Sequence, residues 1–300
     1  MRSAALRFAF LAGFAIAVPA AGSAVADASR IVAIGASVTE ILYALGLENQ
    51  VVAVDATSQF PERALRDKPS VGYLRQLSPE GVLATRPSMV LAAAGIGPPE
   101  TVRVLEASAV ALIKVPDRFD AEGIVAKVRQ IAATAGVGSR GECLATVVEG
   151  NLSALAALRA KVPSPARAAF VLSFANGRAM VAGRGTAADG LIRLAGADNA
   201  FAEIEGYKPI NDEAVVAAGP DVVIVMSNGG PNALSAAQVF AHPGFSGTPA
   251  ATRQAFVPLQ AQALAFGPFT AEAARALTRA IYPAVVDTAP PARHDQDCSR

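Results

Sequence analysis

Two stretches of this chain repeat one pattern, and the repeat restricts the fold more than any other feature. Ser78-Pro79-Glu80-Gly81-Val82-Leu83-Ala84 leads through a proline turn into the apolar Met89-Val90-Leu91, and Asn211-Asp212-Glu213-Ala214-Val215-Val216-Ala217 leads through Gly219-Pro220 into Val222-Val223-Ile224. Each opens on a capping residue, carries an early glutamate, and ends in an apolar run of strand length. A capped helix feeding a buried strand is one step of a βαβ unit, so its recurrence predicts two similar α/β lobes.

The other elements fill in around this marker. The first round predicts strands over 31–34, 51–54, 89–93 and 112–115, with helices over 39–46, 77–84, 100–107 and 121–135. In the second of these rounds, strands are predicted over 168–172, 222–226 and 255–258, with helices over 186–195, 212–217 and 270–281. Ser37 or Thr39 is the expected cap of the first helix. Between the rounds, 139–161 reads as one long helix closed by Pro163 and Pro165. The predicted fold class is α/β, with two similar lobes of mostly parallel sheets joined by one long helix. The corresponding division is a signal segment over 1–26, a first lobe over 27–138, a linking helix over 139–162, a second lobe over 163–286 and a disordered polar tail over 287–300.

The N-terminus has the layout of an export signal. Arg2 and Arg7 are its basic end, Phe8 to Val18 its apolar run, and Ala24-Val25-Ala26 a small-residue cleavage site. That run is too short for a stable membrane-spanning helix, so the expected product is periplasmic and begins at Asp27. Basic and acidic residues number 26 and 25, which leaves no basic surface for nucleic acid. Export permits a disulfide between Cys143, in the predicted linking helix, and Cys298, in the tail. Sequence alone leaves that pairing open, because it does not show whether the two approach bonding distance.

Chemistry concentrates in Val71-Gly72-Tyr73-Leu74-Arg75-Gln76-Leu77-Ser78, a loop between two apolar runs. Ferric iron is a hard cation that favours anionic oxygen, and tyrosinate is a known axial ligand of haem iron. A free tyrosine titrates near pH ~10, so this use needs the metal and a nearby positive donor. Arg75 is such a donor if the loop turns both side chains the same way. The alternative is a ring packed over the core with its hydroxyl in water. Histidine is scarce, with two in the chain; His242, beside Pro243, reads as structural or surface, and a multi-histidine metal site is not expected.

Gly183-Arg184-Gly185-Thr186 precedes a predicted helix and reads either as an anion-binding turn or as a plain turn capped by Thr186. Gly206-Tyr207-Lys208-Pro209 reads as a polar loop. Arg184 or Lys208 would suit carboxylate groups of a ligand. Glu80 and Glu213, at matched positions, read as docking charges for arginines of a partner, beside the plainer reading that they complement a helix dipole. No nucleophile elbow, metalloprotease helix or cysteine–histidine pair is present, so no enzyme is expected.

These pieces together resemble a known family. Arg30-Ile31-Val32-Ala33-Ile34-Gly35-Ala36-Ser37-Val38-Thr39-Glu40-Ile41, the Tyr73 loop, Ala182-Gly183-Arg184-Gly185-Thr186-Ala187-Ala188-Asp189 and Gly206-Tyr207-Lys208-Pro209 look like segments of the periplasmic haem-binding proteins of bacterial haem ABC importers. That family lies within the iron-complex and vitamin B12 substrate-binding group. The first segment marks the wider group and the Tyr73 loop points to haem. The resemblance runs from Arg30 to Ile281. It implies haem (hemin) held edge-on between the lobes as transported ligand, its iron coordinated by Tyr73, with Arg75 paired to the phenolate and Arg184, Tyr207 and Lys208 at the ligand. It further implies a monomer that docks through Glu80 and Glu213 on the permease dimer, with an outer-membrane haem receptor upstream, and a helical link allowing only modest opening. Some relatives add a histidine near the strand over 168–174, where this chain has Leu172-Ser173-Phe174-Ala175-Asn176-Gly177, so a second protein ligand is not implied. A corrinoid or ferric siderophore is the alternative cargo, although a siderophore site usually wants tryptophans or several basic groups and the chain has no tryptophan. An exported enzyme holding an anionic substrate at Gly183 to Thr186 is the alternative of another class.

Overall fold

A computed structural model describes residues 27–227, 234–292 and 298; the export signal read over 1–26 lies outside them. The short apolar runs form the strands. β1 (Ile31–Ile34), β2 (Val51–Val54), β3 (Met89–Ala93) and β4 (Ala111–Val115) make a parallel sheet in the order β2-β1-β3-β4. β1 and β3 are buried along their whole length, as central strands covered on both faces must be. Alternate residues serve opposite faces: Ile31, Ala33 and Leu91 join one core, while Val32, Ile34 and Val90 join another. The helices α1 (Ala36–Ala44), α2 (Arg63–Asp67), α3 (Pro79–Leu83), α4 (Pro99–Ala107) and α5 (Ala121–Thr134) lie between and after the strands.

α6 (Gly138–Arg159) leaves this lobe and enters the second. Its buried Leu144, Val148, Leu152 and Leu155 recur every three or four residues, a stripe that belongs to the same core as both sheets. The second sheet contains β5 (Arg167–Ala175), β6 (Arg178–Ala182), β7 (Asp198–Asn199), β8 (Tyr207–Ile210), β9 (Val222–Ser227) and β10 (Phe256–Gln260). Its order is β10-β9-β5-β6-β8, with β7 beside β5. β10, β9 and β5 run parallel, whereas β6 and β8 run antiparallel. The first sheet is therefore wholly parallel and the second mixed.

The antiparallel part has a local cause. Asn176 and Gly177, both at positive φ, turn β5 back into β6; Asn-Gly is a strong short-range hairpin signal that the sequence reading passed over. Tyr207-Lys208-Pro209 is not the loop expected from its polarity but part of β8, the outer strand. Proline is tolerated on an outer strand, where its missing N–H removes no ladder bond. α7 (Ala187–Leu194), α8 (Asp212–Ala218), α9 (Ala236–Ala241), α10 (Pro243–Ser246), α11 (Pro249–Arg253) and α12 (Thr270–Ile281) complete the lobe.

The chain beyond α12 is anchored at several points. Buried Arg275 grips Asp287 through Nε at 3.1 Å and Nη2 at 2.9 Å, and Arg279 adds a bond at 3.0 Å. Burial pushes the Asp287 carboxyl up, but these hydrogen bonds outweigh it and hold the group below the ordinary carboxylate range. Lys161, just past α6, donates to Val286 O at 3.1 Å. Of the expected disordered tail over 287–300, the residues 293–297 and 299–300 lie outside the described ones, and Cys298 is bonded to Cys143 with a Cα separation of 5.6 Å. The pairing left open by sequence is thus made. It closes a loop of more than half the chain, so Cys143→Ser should lower unfolding stability by about 2–4 kcal/mol, read as a shifted urea midpoint under oxidising conditions.

Candidate ligand-binding cleft

A cleft of about 560 Å³ opens between the lobes. Glu40, Tyr73, Arg75 and Phe119 line it from the first lobe, and Ala187, Met226 and Leu264 from the second. The Tyr73 loop is pinned on both sides. Val71 N–H donates to Val54 O at 2.8 Å, and Ala56 N–H donates to Gly72 O at 2.8 Å. Gly97 N–H donates to Leu74 O, and Leu77 N–H to Gly97 O, both at 2.9 Å. Between these clamps Gly72 takes φ +95°, a conformation that glycine reaches without strain. Tyr73 is left 41% exposed, so its ring faces the cleft rather than packing over the core. Arg75 Nη1 stands 3.5 Å from Tyr73 Oη, at the outer limit of a hydrogen bond. The loop does turn both side chains the same way.

Tyr207, on β8 of the second lobe, is not among the residues lining the cleft, but lies near enough to Arg75 to feel its charge. Burial pushes its hydroxyl up, while the Arg75 charge, Thr186 and the Ala188 amide pull the other way. Its ring packs edge-on to Phe170, with centroids 6.5 Å apart. Arg184 and Lys208 are not among the residues lining the cleft. The Arg184 guanidinium is engaged by Glu203 O at 3.0 Å and Glu205 Oε2 at 3.3 Å, and Lys208 is exposed on β8. Thr186 caps α7 by accepting the Asp189 N–H at 3.1 Å. The buried Asp189 carboxylate accepts from Gly185 N–H at 3.3 Å and from Asn199 Nδ2 at 3.0 Å. An anion arriving at Gly183 to Thr186 would therefore compete with a carboxylate already in place.

Glu80 and Glu213 are exposed in the first turns of α3 and α8. Ser78 caps α3 by accepting Gly81 N–H at 3.1 Å, and Asn211 caps α8 by accepting Ala214 N–H at 3.0 Å. The Glu80 backbone N–H, helped by the Ser78 hydroxyl, holds the Glu80 carboxyl below its usual range. His242 stacks on Phe174 with ring centroids 4.5 Å apart and is not a cleft residue. Among the described residues no group of three or more His, Cys, Asp or Glu is arranged to hold a metal ion.

Glu40 is a charged cleft residue that sequence reasoning missed. α1 starts at Ala36 with no side-chain cap, because its N-cap residue is Gly35; buried Asp55 accepts the Gly35 N–H at 2.8 Å. Ser37 is therefore not a cap, and its Oγ accepts from Lys127 Nζ at 3.1 Å. One turn on, Glu40 is 2% exposed. Burial pushes its carboxyl up to about 8, against the pull of the Lys127 charge. Its Oε1 has no hydrogen-bond partner among the described residues. The available signal was a lone acid beside Val38, Ile41 and Leu42 in a segment with no other charged residue.

Two α/β lobes joined by one helix about an open cleft are the architecture of a substrate-binding protein. The chain belongs to the periplasmic binding protein family, whose model matches residues 31–263. The periplasmic heme-binding protein RhuT from Roseiflexus sp. RS-1, in apo form, superposes with a TM-score of 0.80 at 34% identity, covering 87% of this chain and 100% of that one. BhuT, a periplasmic heme-binding protein solved in complex with two hemes, gives 0.80 at 36% identity over 86% of this chain and 99% of its own. A vitamin B12-binding protein of Pectobacterium carotovorum is 23% identical over 71% of this chain and 76% of that protein. An uncharacterised ABC transporter substrate-binding lipoprotein of Bacillus subtilis, YvrC, is 23% identical over 66% of this chain, and the match spans 63% of that relative's length. Substrate-binding proteins of ABC transporters work with permease and ATPase components.

Proposed function

We propose that this chain captures ferric haem in the interlobe cleft and delivers it to an ABC importer. The observation that carries the reading is Tyr73, held out of the core on a pinned loop with the Arg75 guanidinium 3.5 Å from its oxygen. A phenol becomes a good ligand for ferric iron once ionised, and iron and a guanidinium both favour that form. Phe119, Met226 and Leu264 give the cleft apolar walls from both lobes, which suits the flat face of a porphyrin. Arg75 stands where one cation serves both Tyr73 and Tyr207. For Arg184 to reach a propionate it must leave Glu205. In this reading the protein works as a monomer after removal of its export signal, and Glu80 and Glu213 meet arginines of the permease dimer. The likeness to the heme-binding proteins RhuT and BhuT supports haem over other cargoes.

The test is a competition titration of the purified protein with hemin, cyanocobalamin and a ferric siderophore. Hemin should bind with a high-spin, tyrosinate-type spectrum, and a large excess of either competitor should leave that spectrum unchanged. Displacement by cobalamin would transfer the assignment to corrinoids.

A further inference from the structure

The two lobes meet along a short seam beside the cleft. Three neighbouring positions of the second lobe touch the first in turn. Phe266 packs edge-on to Phe119 with centroids 5.1 Å apart, and Phe269 packs edge-on to Phe60 at 4.9 Å. Between them lies Gly267, set so closely on the first lobe that a Cβ there would strike Glu40 Oε2. A side chain at position 267 would force the Glu40 carboxyl to shift, and that carboxyl is buried.

The charged groups around that carboxyl are few. On α5, Lys127 faces it, but its Nζ is bonded to Asp117 Oδ1 at 2.9 Å and Ser37 Oγ at 3.1 Å. Asp117, from the segment after β4, also borders the cleft, as do Tyr73 and Arg75. The second-lobe segment 261–271 carries no titratable side chain. As a neutral acid, Glu40 tolerates this dry contact. As a carboxylate it would need donors that the described residues do not offer to Oε1, and a buried charge without partners is costly. Lifting Gly267 away would open this contact to water.

We propose that Glu40 is a positioning residue of the cleft: its neutral acid lets the second lobe seat Gly267 and the flanking phenylalanines on the first, and its ionisation loosens that seam and speeds release of the cargo. This rests on the reading of the cleft as the cargo site, but the seam can be followed without any cargo. The chain has no tryptophan, so Phe60→Trp places a single fluorophore in the seam.

In the ligand-free Phe60→Trp protein, emission should shift to longer wavelength and acrylamide quenching should rise between about pH 7 and about pH 9, as the buried acid loses its proton. Adding Glu40→Gln, which keeps the shape without the titration, should hold the emission at its low-pH position throughout. Adding Gly267→Ala should give the long-wavelength emission at every pH. Hemin transfer to apomyoglobin should accelerate over the same range in the otherwise wild-type chain and stay slow in Glu40→Gln. The proposal is overturned if Glu40→Gln follows the same pH course as its parent, or if the parent shows no change. A protein that fails to bind hemin but keeps the fluorescence transition would remove the haem assignment and leave the seam standing.

Discussion

Tyr73→Phe should abolish the tyrosinate spectrum of the hemin complex and weaken hemin binding by at least about 100-fold, beyond the roughly 10–100-fold cost typical of losing a supporting partner of a metal ligand. The change removes one oxygen from a side chain that is 41% exposed and is not among the hydrogen-bonded anchors of its loop, which are backbone groups at Val54, Ala56, Leu74 and Gly97. Folding stability should therefore stay within about 0.5 kcal/mol of wild type, as for surface substitutions generally. Arg75→Ala should fall in the intermediate range, about 10–100-fold weaker, with the tyrosinate signature retained but formed at higher pH. Absorbance titration and a urea melt on the same preparations separate loss of ligation from loss of fold. A Tyr73→Phe complex with an unaltered spectrum would exclude Tyr73 as the ligand.

The second large effect concerns Glu40 and stability. In the folded chain its carboxyl keeps a proton up to about pH 8, against 4.5 for an ordinary glutamate. Below both values the folded and unfolded chains are protonated alike and this group favours neither. As pH rises from 4.5 towards 8, the unfolded chain has released the proton and the folded chain still holds it, so stability falls with pH across that window and levels off above it. Each pH unit in the window is worth about 1.4 kcal/mol, so the total is on the order of 5 kcal/mol. Glu40→Gln should remove this slope and leave the protein roughly 3 kcal/mol more stable near neutral pH, measured by urea unfolding at a series of pH values. An unchanged slope in the variant would show that Glu40 is solvated in the folded chain.

Much of the architecture was readable because it depends on local pattern. Ile31–Ile34, Met89–Ala93 and Val222–Ser227 are short apolar runs bounded by polar or turn residues, and they became central strands. Ser78, Thr186 and Asn211 each announced a helix start, and each accepts a first-turn N–H. Ser37 and Thr39 looked equally good as caps, yet neither caps α1. The N-cap is Gly35, whose N–H is held by Asp55 from the end of the neighbouring strand. The Tyr73 loop stood out because an aromatic and a cation two residues apart are odd company in a turn. That both face one cleft depends on Gly97 and Val54, which belong to other segments.

The order of apolar runs, the capping residues and the Tyr73-x-Arg75 spacing were fixed by the chain itself, because each rests on neighbours within a few positions. The pairing of Cys143 with Cys298, the engagement of Arg184 by Glu205 and the burial of Glu40 against Gly267 were settled only by the fold. Each joins residues far apart in sequence, and burial and charge pairing arise only when those distant surfaces close on one another.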